Sequence, residues 1–142
     1  MRLNDVPEEG RKYRSLFVKA TDAKDYVISL SIGPGGLFLT PYDADKISPV
    51  TKQRDKGPTL RVKKQVNLNE WHTVVLEIKD DEVVGTLDGQ STTLSNKLIA
   101  TAKHSIMLGA GTEASFRHLR IWEALPNPEW PANKAKLVPV SQ

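Results

Sequence analysis

The last predicted strand of this chain, residues 115–122, combines aromatic and hydrogen-bonding side chains. On one face these side chains recur with a period of two: Phe116, His118, Arg120 and Trp122. An aromatic ring stacks on the C–H face of a sugar, and Arg or His side chains hydrogen-bond its hydroxyl groups. We therefore predict that His118, Arg120 and Trp122 contribute to a carbohydrate-binding surface. The alternative is that Trp122 closes the edge of the fold and Arg120 is only a surface cation.

A basic segment lies between residues 52 and 64. Six cations stand there against one acid, Asp55: Lys52, Arg54, Lys56, Arg61, Lys63 and Lys64. Clustered cations bind polyanions by releasing counterions, so the segment predicts a patch for phosphate or anionic polysaccharide. It has no interleaved aromatic residues and no recognition helix, so we expect no sequence-specific nucleic acid. The alternative is a solvated loop and edge strand whose lysines discourage aggregation.

Two groups of residues raise the question of a metal. The sequence P-Y-D-A-D-K offers Asp43 and Asp45 as oxygen ligands for Ca²⁺, although an exposed loop gives the same pattern. His72, His104 and His118 fall on different predicted strands and could converge on a transition metal, but no H-x-H or H-x-x-x-H pair is present. We expect no cofactor, with Ca²⁺ at Asp43 and Asp45 as the alternative.

No catalytic residue can be assigned from the sequence. Glycoside hydrolysis uses two carboxylates that flank the scissile bond. The candidate carboxylates form no E-x-D-x-x-E pattern: Asp43, Asp45, Glu77, Asp80, Asp81, Asp88, Glu113 and Glu123. The chain has no cysteine, which excludes a thiolate nucleophile, and it has no G-x-S-x-G, Walker or dinucleotide-binding motif.

Alternating apolar residues predict an all-β fold. Turn residues separate candidate strands at residues 13–19, 26–32, 37–40, 60–66, 71–78, 83–87, 92–94, 104–108 and 115–122. The stretch 71–90 reads as two strands around a charged turn, followed by a tight Asp88-Gly89 turn. Residues 41–58 form the longest predicted loop, and only residues 96–103 suggest a short helix. This pattern is typical of an antiparallel β-sandwich or barrel.

Composition indicates a single domain over residues 1–125. The chain has 142 residues, of which 39% are hydrophobic and 26% are charged, with a net charge of +3. Four prolines after residue 125 predict an irregular tail over residues 126–142. No apolar run approaches the roughly 20 residues of a membrane span. No signal peptide is predicted, and residues 2–4 read either as a frayed terminus or as the end of a strand that begins earlier.

Residues 66–130 resemble the bacterial 3-keto-disaccharide hydrolase domain family, formerly a domain of unknown function. In that family a tryptophan opens a strand, a hairpin ends in an L-N-G or L-D-G turn, and an F-R-N-I-R-I strand closes the sheet. The corresponding positions here are Trp71, the turn at residues 87–89 and the stretch F-R-H-L-R-I at residues 116–121. The W-E-A and P-N-P sequences that follow are similar to planctomycete relatives.

The resemblance implies a concanavalin A-like jelly roll and export to the periplasm or the cell exterior. It also implies a hydrolase, but the matching motifs are turns and core positions, which specify a fold and not an activity. We therefore expect a non-catalytic carbohydrate-binding module. A glycoside hydrolase or lyase acting on 3-keto-disaccharides is the first alternative, and a structural or protein-interaction domain is the second.

Overall fold

In the computed structural model, the described residues are 1–3, 16–23, 25–51, 54–110, 114–123 and 125–137, without the side chains of 25–27, 44, 45, 54 and 55. The strands are β1 (Arg2–Leu3), β2 (Leu16–Asp22), β3 (Asp25–Gly33), β4 (Gly36–Ile47), β5 (Arg54–Lys56), β6 (Leu60–Lys63), β7 (Val74–Lys79), β8 (Glu82–Leu87), β9 (Gln90–Ser95), β10 (Ser105–Ala110) and β11 (Ala114–Ser115). A 3₁₀ helix spans Lys97–Ala100, and α1 spans Trp130–Lys134.

These strands form antiparallel sheets that pack as a sandwich, so the predicted all-β fold is confirmed. The larger sheet has the order β10-β2-β3-β4, and β5 and β6 pair with successive stretches of β4. The smaller sheet has the order β7-β8-β9. The short strands β1 and β11 pair with each other, and β1 also bonds the residues that precede β7. The two sheets meet where β4 faces β8 and β6 faces β9.

The core lies between the two sheets and consists of the inward-facing residues of alternating strands. Leu30 and Leu39, which are cross-strand neighbours in β3 and β4, are both completely buried. Gly85 of β8 lies against them, and a Cβ atom at this position would be 3.0 Å from Leu39 Cδ2. The missing side chain therefore lets β8 approach β4 closely.

The predicted hairpins are present, and their turns use residues with positive φ. Residues 26–40 form the β3–β4 hairpin, which closes with Gly36 at a φ of 124°. A side chain at Gly36 would collide with the Val62 carbonyl oxygen. Residues 71–90 contain β7 and β8, joined at Asp80 (φ 50°), and lead through Asp88 (φ 45°) and Gly89 (φ 80°) into β9. The sequence pattern thus predicted the hairpins and their turns.

Two predicted elements are wrong. Much of the expected loop at residues 41–58 is strand, because β4 continues to Ile47 and β5 pairs with it after a register shift between Asp43 and Ile47. Pro41 is tolerated inside β4, where it opposes Ile28. The expected strand at residues 115–122 ends at Ser115, because β1 offers a ladder partner only to Ala114 and Ser115.

Smaller elements differ in length or type. The possible helix at residues 96–103 is the 3₁₀ helix, which begins where the Asn96 side chain accepts a hydrogen bond from the Leu98 amide at 2.9 Å. The predicted tail contains one helical turn and a half, α1, with Pro131 in its first turn. The first part of the predicted strand 13–19 lies outside the described residues. No helix among the described residues is long and apolar enough to cross a membrane.

Candidate functional site

The predicted sugar-binding residues lie on an extended, exposed segment and not on a strand face. After β11 the chain continues through residues 116–123 without regular secondary structure, and His118 has a φ of 53°. A left-handed residue interrupts the two-residue alternation, so the expected common face of Phe116, His118, Arg120 and Trp122 does not form. His118, Arg120 and Trp122 are nevertheless all exposed, and 63% of Trp122 is accessible.

The start of this segment is fixed by two contacts. Phe116 is partly buried and packs against the core. The Arg117 guanidinium lies over the ring of Trp71, with Cζ 4.0 Å from the ring centroid. The Arg2 guanidinium also lies near that ring, with Cζ 5.0 Å from the centroid. The contacts of Arg117 and Arg2 with Trp71 are cation–π interactions. Together, Phe116 and Arg117 hold the start of the segment beside Trp71, which precedes β7.

Sequence reasoning missed this arrangement of Trp71 with Arg2 and Arg117. The family resemblance marks Trp71 only as the residue that opens a strand, and it includes Arg117 only within the F-R-H-L-R-I stretch. The arrangement depends on the pairing of β1 with β11, which brings Arg2 beside Ser115. That pairing is a long-range contact, and no local pattern reveals it.

A second cluster surrounds the carboxylate of Asp88 in the turn after β8. His72 Nδ1 donates to Asp88 Oδ2 at 2.7 Å, and the Thr73 amide donates to Asp88 Oδ1 at 2.7 Å. Lys64 Nζ lies 3.6 Å from Asp88 Oδ2. Burial raises the pKa of Asp88, but the hydrogen bonds from His72 and Thr73 and the charges of His72 and Lys64 outweigh it and hold the pKa below its ordinary value.

This cluster explains His72 without a metal. Its second ring nitrogen, Nε2, lies 3.2 Å from the carbonyl oxygen of Asn67, so both nitrogens already have oxygen partners. His104 and His118 are exposed. Within the described ranges, no three His, Cys, Asp or Glu residues gather in a geometry that could hold a metal ion. The possible convergence of the three histidines on a metal therefore does not occur among the described residues.

The aspartates considered for Ca²⁺ lie in β4. Asp43 is half-buried and forms an ion pair with Lys46, at 3.4 Å between Nζ and Oδ2. The side chain of Asp45 lies outside the described residues. No group of three His, Cys, Asp or Glu side chains includes Asp43 within the described residues, and the Ca²⁺ alternative stays a prediction.

Of the six basic residues, Arg54 and Lys56 lie in β5, Arg61 and Lys63 lie in β6, and Lys64 follows β6; both strands pair with β4 at the edge of the larger sheet. Two are engaged with neighbours: Arg61 Nη2 donates to the Gly35 carbonyl at 2.8 Å, and Lys64 approaches Asp88. Lys56 and Lys63 are exposed. Lys52 and the side chain of Arg54 lie outside the described residues. This placement is compatible with cations that discourage aggregation at a sheet edge. The polyanion patch stays a prediction.

The tail is attached to the smaller sheet through one carboxylate. Trp130 Nε1 donates to Glu82 Oε2 at 2.8 Å, and the Lys134 ammonium bonds Glu82 Oε1. These hydrogen bonds hold the pKa of Glu82 below its ordinary value, although burial opposes them. Glu82 begins β8, so α1 is tied to the start of that strand.

No protein-family model matches the chain, and no curated protein sequence matches it. The site is therefore described by its own geometry: an exposed segment that carries Arg120 and Trp122, fixed at its start by Phe116 and Arg117.

Proposed function

We propose that this protein is a non-catalytic carbohydrate-binding module with a concanavalin A-like jelly-roll fold. The observation that carries the proposal is the exposure of Trp122, which has 63% of its surface accessible on the same short segment as His118 and Arg120. An indole ring that is open to solvent offers an apolar surface on which a pyranose ring can stack.

The chemistry of the neighbouring side chains supports a saccharide ligand. Arg120 supplies several N–H donors, and His118 supplies a ring nitrogen, so both can hydrogen-bond hydroxyl groups. Neither side chain forms a hydrogen bond or an ion pair with the other or with Trp122 among the described residues. Their hydrogen-bonding capacity is therefore available to a ligand from solvent.

A charged saccharide suits this surface better than a neutral one. The segment carries two arginines, Arg117 and Arg120, against one acid, Glu123, and the whole chain has a net charge of +3. A guanidinium forms bidentate bonds with carboxylate or sulfate oxygens, and these are stronger than bonds to neutral hydroxyl groups. We therefore expect a uronic-acid or sulfated saccharide to bind more tightly than a neutral one of the same length.

The lowered pKa values of two carboxyl groups, those of Glu82 and Asp88, argue for binding without hydrolysis. A general acid in a glycosidase needs a raised pKa so that it carries a proton at neutral pH. The carboxyl groups of Glu82 and Asp88 have the opposite property, since hydrogen bonds lower the pKa of each. Both remain ionised and engaged with neighbours, so neither is prepared to protonate a leaving group.

The test is a titration of the protein with a neutral β-glucan oligosaccharide and with a uronic-acid oligosaccharide. We expect saturable binding that Trp122→Ala weakens by about tenfold, which corresponds to about 1.4 kcal/mol. Arg120→Ala should weaken binding of the uronic-acid ligand more than binding of the neutral one. Leu125→Ala is the matched control, because it removes another highly exposed apolar side chain close to Trp122 in the chain.

Unchanged affinity in folded Trp122→Ala and Arg120→Ala proteins would remove this site. The same protein is incubated with 3-keto-disaccharides to test the hydrolase alternative that the family resemblance implies. Product formation that requires one carboxylate or histidine would replace the binding proposal with an enzymatic one.

A further inference from the structure

The outer face of the larger sheet has a trough along its central strand, β3. Every second residue of β3 is buried in the core, so Ser29 and Ser31 point to the opposite face. Ser31 lies between Phe17 of β2 and Phe38 of β4, its direct cross-strand neighbours. Because neighbouring strands are about 4.8 Å apart, the two phenylalanines stand about 10 Å apart with only a small side chain between them. Both phenyl rings are partly exposed and form the walls of the trough.

Each phenyl ring is supported from the side that faces away from the trough. Phe17 lies over Gly109 of β10, where a Cβ atom would come within 2.2 Å of the ring. Phe38 is supported by its neighbour in β6, Arg61, whose Cζ lies 5.1 Å from the ring centroid. Neither support comes from β3, so the space above Ser31 stays open between the two rings.

The hydroxyl groups on the floor of the trough have no protein partner. Ser29 is only 6% exposed, yet neither its hydroxyl nor that of Ser31 forms a hydrogen bond with any described residue. Thr40, which lies opposite Ser29, is buried to a similar degree but has a partner, the Thr59 hydroxyl at 3.1 Å. A buried hydroxyl without a partner is unfavourable, so the floor of the trough is suited to a ligand that supplies one.

The charges around the trough are positive. Lys19 lies opposite Ser29 in β2, and Arg61 and Lys63 point outward from β6, which pairs with β4. Lys63 and Lys56 of β5 are exposed at the edge of the sheet. Among the described side chains that point outward from β2, β3, β4, β6 and β10, none is an aspartate or a glutamate. A basic face without acids is complementary to a polyanion.

We propose that this trough binds single-stranded nucleic acid without sequence preference. Proteins of this kind stack bases on aromatic rings and hold the phosphates with cations. The basic segment at residues 52–64 contains no aromatic residue, but the sheet supplies the rings from β2 and β4 and places Phe38 beside Arg61. The trough does not include Trp122, so this function is independent of saccharide binding.

The positions of the rings and of the edge lysines favour a nucleic acid over a sulfated polysaccharide. A sulfated sugar carries its charges on the ring that would stack, whereas a nucleotide separates its flat base from its phosphate. Lys56 and Lys63 belong to β5 and β6, which lie beyond Phe38 on the side away from Phe17. Bases over the trough would therefore leave their phosphates at the basic edge of the sheet.

Fluorescence anisotropy with a labelled oligothymidylate tests the proposal, and an abasic oligonucleotide of the same length and charge is the comparison ligand. We expect tighter binding of oligothymidylate, because only its bases stack on the rings, and weaker binding of both as the salt concentration rises. Phe38→Leu keeps an apolar side chain but removes the stacking face. It should weaken oligothymidylate binding by about five- to tenfold and leave abasic binding unchanged, whereas Phe38→Trp should retain both.

Lys63→Gln should weaken the binding of both oligonucleotides by a similar factor, since it removes a phosphate contact and no stacking surface. Lys79→Gln is the matched control, because Lys79 is an exposed cation of the smaller sheet. NMR of the wild-type protein gives a readout that needs no variant. The amide signals of Ser29 and Ser31 should shift when oligothymidylate is added, and those of β8 should not.

Absence of oligothymidylate binding at low salt overturns the proposal. Equal affinity for the two oligonucleotides overturns it too, because attraction by charge alone would then account for the binding. A sulfated polysaccharide is the rival ligand. If it binds more tightly than oligothymidylate and Phe38→Leu weakens both to the same extent, the trough is a polysaccharide site and the proposal is wrong.

Discussion

The two ends of the sandwich bury their apolar residues to very different degrees. In the covered half, where β3, β4 and β6 face β8 and β9, residues such as Leu30, Leu39 and Val83 are completely buried. In the open end, formed by β7, β10 and residues 116–123 and 125, apolar side chains of similar size are exposed, including Leu119 at 62% and Ile106 at 46%.

The difference shows that strand alternation alone does not determine burial. Ile106 of β10 opposes Ala20 of β2 and lies on the same face of the sheet, yet Ala20 is buried and Ile106 is not. β10 is the outermost strand, and the smaller sheet has fewer strands than the larger one. Apolar side chains are covered only where the opposing layer continues, so Ile106 stays exposed on the outermost strand.

The largest expected effect is on stability, and it contrasts a buried leucine of the covered half with an exposed leucine of the open end. Leu39→Ala should lower the free energy of unfolding by about 2–5 kcal/mol, because it leaves a cavity between β4 and β8. Leu119→Ala removes the same atoms from the open end and should change it by less than about 0.5 kcal/mol. Urea unfolding of both variants measures the contrast. Similar losses of stability in the two variants would mean that Leu119 is packed, which would contradict the contrast between the covered half and the open end.

An intermediate loss of stability is expected when the Asp88 cluster is disrupted. Its hydrogen bonds join the turn after β8 to His72 and Thr73, the residues before β7. Because the folded pKa of Asp88 lies below its ordinary value, the interaction stabilises the protein above the ordinary aspartate pKa and is lost as the pH falls through the folded pKa. Asp88→Asn should cost about 1 kcal/mol at neutral pH, where the wild-type carboxylate is ionised.

Thermal unfolding between neutral and acidic pH measures this effect. The gap in stability between wild type and Asp88→Asn should narrow as the solution becomes acidic. A constant gap would show that the asparagine disturbs the turn and that the charge of Asp88 contributes nothing. Asp80→Asn serves as the control, because Asp80 also has a positive φ in a hairpin turn.

The smallest effect on overall stability is expected from Glu82→Gln, which releases the tail from β8. The neutral amide loses the ion pair with Lys134 and keeps one acceptor oxygen where Trp130 and Lys134 use two, so α1 should detach while the two sheets remain folded. Trypsin should then cleave after Lys134 and Lys136 several-fold faster, and the free energy of unfolding should change by less than about 0.5 kcal/mol.

Glu129→Gln is the control for the tail, since Glu129 is exposed and precedes the helix without bonding β8 through its side chain. Acid should have the same effect as the substitution: the tail contact is intact above the ordinary pKa of glutamate and is lost as the pH falls through the lowered pKa of Glu82. Equal cleavage of wild type and Glu82→Gln at neutral pH would show that the tail is not held by this carboxylate.

The candidate site could be predicted only in part. The sequence identified Arg120 and Trp122 as candidate ligand-binding residues, and both are exposed, but it placed them on a strand face that does not form. Strand formation at that point requires a hydrogen-bonding partner, and β1 provides one only for Ala114 and Ser115. The contact of Trp71 with Arg117 joins residues that lie far apart in the chain, so no periodic pattern could have indicated it.

Local patterns determined the all-β class, the hairpins at residues 26–40 and 71–90 and the turns at Asp80 and Asp88, because side-chain alternation and left-handed turn residues act over a few neighbouring positions. Tertiary structure alone decided which strands lie at the edges, how far β4 extends, where the last strand ends and which apolar residues stay exposed. Each of these depends on backbone partners and on an opposing layer, and both are supplied by distant parts of the chain.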